Sequence, residues 1–330
     1  MREFNRALLA RQLLLDRVDL GILDAVEHLV GLQAQATTPP YYGLWSRLRG
    51  FQADALSRAI EDGSLVRMTL MRGTVHMVTP RDAAFLRPLV QPAIDRGHQA
   101  AFGRRMGGVR VDAARVLEIL RDGPRTAREI ARVIGGDEEA VANAVRACAP
   151  IVQLPPRGVL GKGGAPRYTP LPVPLEASPS PETLVLRYLR AFGPATVMDC
   201  QRWCGLTRLK PVFERLELVR DGAYYDVPDA PRPSADTPAP VRFLGEFDNV
   251  LLGHADRSRI IPPDVPWTDR ARSLNHVLVD GMLRATWWLD GGVLTIQPYG
   301  RIPQDEVAAE ARRMAEFAGA DDVRFEPALP

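Results

Sequence analysis

The tetrapeptides Gly123-Pro124-Arg125-Thr126 and Gly193-Pro194-Ala195-Thr196 mark a short internal repeat in this sequence. Each follows a segment whose apolar residues recur with helical spacing, at about 112–122 and 182–192. In each copy the threonine is well placed to cap the N-terminus of a second, short helix. The repeat therefore predicts two copies of one helix-turn-helix arrangement.

Both copies continue through a further helix and end in a β-hairpin. In the first copy a helix at about 138–148 is followed by an apolar run at 151–154, a Gly/Pro-rich loop, and Arg167-Tyr168-Thr169. In the second copy a helix at 208–216 precedes two strands around the turn Asp221-Gly222. Helices followed by a β-hairpin are the winged-helix pattern, which mostly implies binding to double-stranded DNA.

A third candidate unit precedes these two copies along the chain. Helices are predicted at about 5–16, 21–31 and 52–61. Two strands, at 65–70 and 74–78, are predicted to form a hairpin around Met71-Arg72-Gly73. The N-terminal segment therefore fits the same winged-helix pattern, with additional elements.

The hairpin of this first unit carries polar side chains on one face of each strand. Arg67 shares a face with Thr69, and His76 shares a face with Thr74, while apolar side chains line the opposite faces. Arg67 and Arg72 are therefore candidates for contact with DNA phosphates. His76 is a further candidate for DNA contact, and simple exposure is an equally good interpretation of it.

These patterns predict an α+β fold that is divided into four parts. We expect a first winged-helix unit over 1–110, a second over 111–177, a third with a Pro-rich linker over 178–240, and a β-rich C-terminal subdomain with a terminal helix over 241–330. A helical stretch at 81–105, interrupted by prolines, is expected to brace the first unit against the second.

Composition limits the class of protein. The chain has 330 residues, 46% of them hydrophobic, with 42 basic and 40 acidic side chains, which excludes a disordered chain. It shows neither an apolar stretch long enough for a membrane span nor a secretory signal, so we expect a cytoplasmic protein. Basic residues exceed acidic ones over 62–125 and 151–225, and acidic ones prevail over 305–330. This distribution suggests a polyanion-binding surface.

The segment Gly31-Leu32-Gln33-Ala34-Gln35 has the most unusual content. It lies where the helix predicted at 21–31 ends, shortly before Pro39-Pro40. Side chains at i and i+2 point the same way only in an extended backbone, where the amides of Gln33 and Gln35 could together hold a water molecule. The alternative is a polar helix end that is satisfied by caps and solvent.

Three motifs in combination resemble the AlkZ/YcaQ family of winged-helix DNA glycosylases. They are Gly31-Leu32-Gln33-Ala34-Gln35, Met71-Arg72-Gly73-Thr74-Val75-His76-Met77-Val78, and Phe247-Asp248-Asn249-Val250-Leu251-Leu252-Gly253-His254-Ala255-Asp256-Arg257-Ser258-Arg259. The resemblance spans essentially the whole chain. It implies three tandem winged helices in a C-shaped, DNA-binding scaffold, with a catalytic Gln-x-Gln or Gln-x-Asp pair in the first unit. It also implies release of N7-alkylguanine lesions, including bulky adducts and interstrand cross-links.

The catalytic positions that match the family are Gln33 and Gln35, on the AlkZ-like, Gln-x-Gln side. The chain departs from the YcaQ-like branch, whose second residue is Asp, so the breadth of cross-link unhooking does not carry over. Alkylation at N7 makes guanine a good leaving group that needs little general-acid help, and water must then be placed against an oxocarbenium-like sugar. We expect Gln35 to orient the water and Gln33 to support it, although the sequence does not distinguish the two roles.

The scarcity of lysine favours a monofunctional enzyme. Of the basic residues only Lys162 and Lys210 are lysines, and both are far in sequence from the glutamines. A glycosylase with lyase activity needs an amine for a Schiff base, so we predict simple hydrolysis that leaves an abasic site. We expect duplex DNA with alkylated purines as partner, no cofactor, no metal, no membrane, and a monomer. A non-catalytic winged-helix transcription regulator is the alternative function.

A cluster of ionisable residues follows the apolar strand of the third motif. We assign Arg257 to DNA contact, and Asp248 and His254 to supporting roles. A structural network that holds the C-terminal subdomain against the first unit is an equally good interpretation. Cys200 and Cys204, one helical turn apart, are interpreted as packing residues because no third or fourth metal ligand is near them in sequence.

Overall fold

The computed structural model describes residues 1–107 and 109–329. Over these residues the protein combines helices with a six-stranded sheet, a five-stranded sheet and a two-stranded hairpin. The predicted α+β fold class is therefore confirmed. Within the same ranges, no helix has the length and apolar character that a membrane span requires.

The N-terminal region contains the predicted hairpin and two elements that the sequence patterns missed, α3 and β1. In chain order its elements are α1 (Arg2–Arg11), α2 (Ile22–His28), β1 (Leu32–Gln33), α3 (Pro39–Arg47), α4 (Ala53–Glu61), β2 (Val66–Thr69), β3 (Val75–Val78) and α5 (Pro80–Phe102). The helix predicted at 21–31 ends at His28, and the chain continues into β1. Pro88 and Pro92 lie inside α5 without ending it. They are four residues apart and so lie on one face of the helix.

The two copies of the repeat have the predicted order of elements. The first contains α6 (Ala113–Ile119), β4 (Arg125–Thr126), α7 (Ala127–Ile134), α8 (Glu138–Cys148), β5 (Ile151–Gln153) and β6 (Arg167–Pro170), and the second contains α9 (Pro181–Phe192), α10 (Val197–Cys204), α11 (Lys210–Arg215), β7 (Val219–Asp221) and β8 (Tyr224–Asp226). Both predicted threonine caps are confirmed. Thr126 caps α7 in a reciprocal pair with Glu129, and Thr196 caps α10 with Asp199.

The C-terminal region is rich in strands, as predicted. Its elements are β9 (Arg242–Leu244), α12 (Asn249–Leu252), β10 (Asn275–Val279), β11 (Met282–Asp290), β12 (Val293–Pro298), α13 (Gln304–Ala318) and β13 (Asp322–Phe325). The strands form one sheet in the order β13-β12-β11-β10-β9. Trp287 faces the core with 1% of its surface exposed, whereas its neighbour Trp288 is 38% exposed. The two indoles therefore lie on opposite faces of β11, as successive side chains of a strand do.

One sheet joins the first region to the first copy of the repeat. Its strand order is β1-β3-β2-β5-β6-β4, and the junction is the pairing of Arg67 with Gln153 between β2 and β5. The hairpin of the first region is therefore continued by strands that lie beyond the predicted boundary at 110. The division of the chain into three winged-helix units stays a prediction.

The Pro-rich segment 226–240, predicted as a linker, is fixed against α1. Asp226 forms an ion pair with Arg11 at 2.6 Å, and both side chains are buried. Further along the segment, the carbonyl oxygen of Thr237 accepts a hydrogen bond from Nε of Arg6 at 2.6 Å. The segment has no regular secondary structure after β8, yet buried arginines of the first helix hold it in place.

Candidate active site at Gln33 and Gln35

The backbone is extended at Gln33, the first residue of the glutamine pair. Leu32 and Gln33 form β1, in which Gln33 pairs with His76 of β3, and N–H of Ala34 donates to the carbonyl oxygen of Val75 at 2.8 Å. The alternative interpretation of this segment as a polar helix end is therefore wrong. The segment is extended because the chain that leaves α2 pairs with the edge of β3, and the sequence patterns did not predict this pairing.

Gly31 makes the turn from α2 into β1 possible. Its φ is +86°, in the left-handed region that favours glycine, and a Cβ atom there would lie 2.6 Å from Cγ1 of Val78. The turn is also fixed by Asn249, whose Nδ2 donates to the carbonyl oxygen of Gly31 at 2.8 Å. Contacts from the third sequence motif therefore position the first motif.

Gln33 is the buried member of the pair. Its side chain is 7% exposed, and Oε1 accepts a hydrogen bond from Nη2 of Arg72 at 2.8 Å. A guanidinium group only donates hydrogen bonds, so the oxygen and not the nitrogen of the amide must face Arg72. The orientation of this carboxamide is thus determined by a charged donor.

Gln35 is exposed, in contrast to Gln33. Its Oε1 accepts a hydrogen bond from the backbone N–H of Val75 at 3.1 Å. The side chain lines a cavity of about 290 Å³ between the hairpin, α5 and α8. Stacked rings of His98 and Phe102, whose centroids are 5.6 Å apart, line the same cavity. The pair is therefore not sealed inside the core, and a solvent molecule can reach one of its two amides.

Arg72 connects the glutamine pair to the second copy of the repeat. It lies at the tip of the hairpin with φ of +57°, and its Nη1 donates to the carbonyl oxygen of Trp203 in α10. Burial lowers the pKa of Arg72 to about 10, with further lowering from nearby arginines. The side chain nevertheless remains a cation at neutral pH.

His76 is buried, with 2% of its surface exposed, so the expectation of an exposed histidine is wrong. The physical reason is the register of the hairpin, which pairs His76 with Met68, so the histidine lies on the same face of the sheet as this core residue. Burial lowers the pKa of His76 to about 3, so the ring is neutral at pH 7. Its Nδ1 lies 3.0 Å from the carbonyl oxygen of Thr74, which requires that Nδ1 carries the proton.

Arg67 is also buried, with 1% exposed, and does not present its guanidinium group to solvent. The predicted polar face of β2 is covered by the loop between β5 and β6, where a Cβ atom on Gly158 would lie 2.7 Å from Cδ of Arg67. Nη2 of Arg67 donates to the carbonyl oxygen of Ala34 at 2.6 Å. The side chain therefore holds the residue between the two glutamines instead of extending toward a ligand.

The ionisable cluster of the third motif has mainly structural contacts. Asp248 accepts hydrogen bonds from Nη2 and Nη1 of Arg47 at 2.7 and 2.8 Å, and both side chains are buried. Nε2 of His254 lies 3.0 Å from the carbonyl oxygen of Phe192, and burial lowers the pKa of His254 to about 3. Asp248 thus anchors the C-terminal region to α3, as the network interpretation expects.

Arg257 is half-buried and lies at a second cavity, of about 630 Å³, which Arg72 also lines. Its Nε donates to the carbonyl oxygen of Leu251 at 2.9 Å. Three further arginines that the sequence analysis did not single out line this cavity, namely Arg96, Arg202 and Arg272. No motif identifies them, because α5, α10 and the C-terminal region meet only in the folded chain.

Comparison with known proteins supports an assignment for this arrangement. The family model of the AlkZ-like DNA glycosylases matches residues 26–317. An interstrand DNA cross-link repair glycosylase from Streptomyces sahachiroi is 26% identical, with 94% of each chain covered. The solved structure of the Streptomyces sahachiroi DNA glycosylase AlkZ superposes with a TM-score of 0.77 at 22% identity, covering 99% of this chain and 98% of that one. The family resemblance inferred from the three motifs is thus confirmed, and the chain belongs to the AlkZ-like family of DNA glycosylases.

Proposed function

We propose that this DNA glycosylase is monofunctional and hydrolyses the N-glycosidic bond of N7-alkylguanine in duplex DNA. The observation that carries the proposal is the pairing of an exposed carboxamide, Gln35, with a buried one, Gln33, that a cation holds in a single orientation. Gln33 lies in β1, and Gln35, two residues further along the chain, lines an open cavity.

The chemistry of the lesion explains why uncharged amides suffice. Alkylation at N7 places a positive charge on guanine, so cleavage of the C–N bond releases a neutral base without prior protonation. The remaining task is to orient water toward a cationic, oxocarbenium-like sugar. A fixed dipole that acts in a partly dry site contributes about 2.7–4 kcal/mol to such a transition state.

The hydrogen bonds support different roles for the two amides. A carbonyl oxygen has two lone pairs, and Oε1 of Gln35 uses one of them for N–H of Val75. We assign the second lone pair to a hydrogen bond from the attacking water, and the proton that this water loses on forming the bond to the sugar passes to solvent. Gln33 already directs its oxygen at Arg72, so its NH₂ group is the part that remains for the substrate or the water.

The positions of the lysines favour hydrolysis without lyase activity. Lys162 is exposed and lies 2.8 Å from a carboxylate oxygen of Glu61. Lys210 is exposed and lies 3.7 Å from Glu214 within α11. Neither lysine lines the cavity at Gln35. We therefore propose that the product is an abasic site.

The proposal for DNA contact rests on Arg72 and Arg257, which line a common cavity. For Arg67 and His76 we propose support of the β1 backbone in place of direct contact, because both are buried. The relative from Streptomyces sahachiroi is named for cross-link repair. We propose that bulky N7 adducts, cross-links among them, are substrates of a cytoplasmic, monomeric enzyme here.

Base release from defined duplexes tests this function. The protein is incubated with DNA that contains N7-methylguanine or a bulkier N7 adduct, and abasic sites are detected as heat-labile breaks. Gln35→Ala is expected to lower the single-turnover rate by roughly 10²-fold or more, the effect of losing one preorganised group. Gln52→Ala is the matched control, because Gln52 is an exposed glutamine outside this cavity. Undiminished release by Gln33→Ala, Gln35→Ala would contradict the mechanism.

The alternative, a transcription regulator without catalysis, makes the opposite prediction. Such a protein selects a preferred sequence from a pool of random duplexes and is indifferent to N7 lesions. Its affinity for a lesion-containing duplex would equal that for the undamaged duplex of the same sequence.

A further inference from the structure

A second cavity adjoins the glutamine pair through Arg72. It has a volume of about 630 Å³, and Arg72 lines both this cavity and the one at Gln35. Five arginines lie around it, and they are Arg72, Arg96, Arg202, Arg257 and Arg272. We call this cavity the arginine pocket.

The arginines of the pocket are close enough to repel one another. Burial is the main cause of the lowered pKa of Arg72, and the positive charges of Arg202, Arg257 and Arg272 lower it further. Within ranges 1–107 and 109–329, neither Arg72 nor Arg202 forms an ion pair with a carboxylate. A concave surface that gathers charges of one sign attracts a counter-ion of the other sign.

Several arginines elsewhere in the fold lie against carboxylates. Arg11 and Arg47 are buried against carboxylates at 2.6 and 2.7 Å, and Arg187 lies 2.5 Å from Asp82. Those pairs neutralise the charge that the fold buries. In the arginine pocket, Arg96 instead donates to a backbone carbonyl oxygen, that of Gly205, at 2.9 Å.

The lining of the pocket, which combines guanidinium groups with apolar side chains, suits a phosphodiester better than a free anion. Guanidinium groups bind phosphate oxygens through two parallel hydrogen bonds. Besides its arginines, the pocket is lined by apolar side chains of Met198, Leu206 and Leu252. Met198 is 62% exposed, which is unusual for a large apolar residue, and it offers a surface for a deoxyribose ring.

We propose that the arginine pocket binds one backbone phosphate of the substrate duplex, and that this phosphate fixes the carboxamide of Gln33 through Arg72. Arg72 donates to Oε1 of Gln33 at 2.8 Å, so its guanidinium group is the physical connection between the pocket and the glutamine pair. A phosphate in the pocket offsets the repulsion that acts on Arg72 and keeps Nη2 on Gln33. Arg72 is thus a positioning residue, and this second half of the inference rests on the proposed glycosylase function.

The first experiment measures binding to an undamaged duplex and does not depend on catalysis. Fluorescence anisotropy gives the affinity of the wild type and of Arg96→Gln, Arg202→Gln over a series of KCl concentrations. Loss of one phosphate contact reduces the slope of log affinity against log salt by about 0.9. Arg202→Lys keeps the charge and is expected to keep most of the slope. Arg312→Gln, an exposed arginine on α13 outside the pocket, is the matched control and is expected to leave the slope unchanged.

Neutral methylphosphonate linkages then locate the contact. One linkage at a time is placed along the duplex, and the wild type is expected to lose affinity at a particular position. The variant Arg96→Gln, Arg202→Gln is expected to be insensitive at that same position. Inorganic phosphate is the competing probe. At equal ionic strength it is expected to displace the duplex from the wild type better than chloride does. If the neutral linkage lowers affinity at no position while phosphate still competes, the pocket is a site for a free anion and the proposal is overturned.

Single-turnover base release at saturating enzyme tests the connection to Gln33. The double variant is expected to release N7-methylguanine roughly tenfold more slowly than the wild type even when all DNA is bound, since misplaced groups lose rate and not only affinity. An unchanged rate at saturation overturns the role of Arg72. An unchanged salt slope overturns the phosphate site. If the wild type releases no base, the proposed function fails. The salt and methylphosphonate measurements still show whether the arginine pocket binds a phosphate of the duplex.

Discussion

Replacing Asp248 with alanine is expected to destabilise the fold through a buried charge. The carboxylate accepts hydrogen bonds from Arg47 at 2.7 and 2.8 Å, and the two side chains are 4% and 0% exposed. The variant leaves a buried guanidinium group without its counter-charge, which costs about 3–5 kcal/mol. Asp248 also caps α12 by accepting from N–H of Val250, and the loss of such a cap costs about 1 kcal/mol more.

Urea-induced unfolding, followed by circular dichroism, measures this loss of free energy. Asp19→Ala is the matched control, since Asp19 pairs with Arg49 at the surface, where the side chains are 77% and 66% exposed. That variant is expected to change the free energy of unfolding by less than about 0.5 kcal/mol.

A second variant separates the unpaired charge from the loss of packing. Arg47→Met, Asp248→Leu removes both charges and fills much of the same volume, so it is expected to be more stable than Asp248→Ala. A loss below about 1 kcal/mol for Asp248→Ala would refute the reasoning. The pair would then behave like an exposed one.

Three further predictions concern residues that are buried at the site or in the C-terminal region. Gly31→Ala is expected to cost about 1–3 kcal/mol in urea unfolding and to slow base release, because the added Cβ would lie 2.6 Å from Val78; full activity would contradict this. Arg67→Ala is expected to slow base release without changing the salt slope of DNA binding, because Arg67 is buried against the backbone; a reduced slope would instead indicate a phosphate contact. The pKa of His76 and of His254 is lowered to about 3 by burial, whereas the unfolded chain takes up these protons near pH 6.5. The contribution of these neutral histidines to the free energy of unfolding is therefore fully present above about pH 6.5. Between pH 6.5 and pH 3 it falls by up to about 1.4 kcal/mol per pH unit for each histidine. A urea midpoint that is constant from pH 7 to 4 would contradict this prediction.

The parts of the fold that the sequence predicted depend on local interactions. Thr126 and Glu129 lie three residues apart, and each satisfies a backbone N–H of the other at the start of α7. Thr196 and Asp199 do the same for α10. Such pairs are visible in a single sequence because both partners lie within one helical turn.

The fate of the polar hairpin residues could not be predicted in this way. Alternation along β2 identified the face of Arg67 correctly, but only a loop more than eighty residues later decides that this face is covered, since Gly158 packs on its side chain. Similarly, the register of β2 and β3 places His76 opposite the core residue Met68, and its side chain is buried. Spacing gives the direction of a side chain, whereas burial depends on which distant segment lies there.

The difference between the two glutamines has the same origin. Their spacing predicts a common direction, and both amide oxygens do accept hydrogen bonds from hairpin residues, Arg72 and Val75. Residues 246–249 of the C-terminal region line the small cavity that encloses Gln33, whereas Gln35 lies beyond the last paired residue of β1 and stays exposed. Since donors fix both oxygens, access to solvent is what separates the two amides. Of the two, Gln35 alone combines a fixed oxygen, a remaining lone pair and an open cavity, and these tertiary contacts support the proposal that Gln35 orients the water.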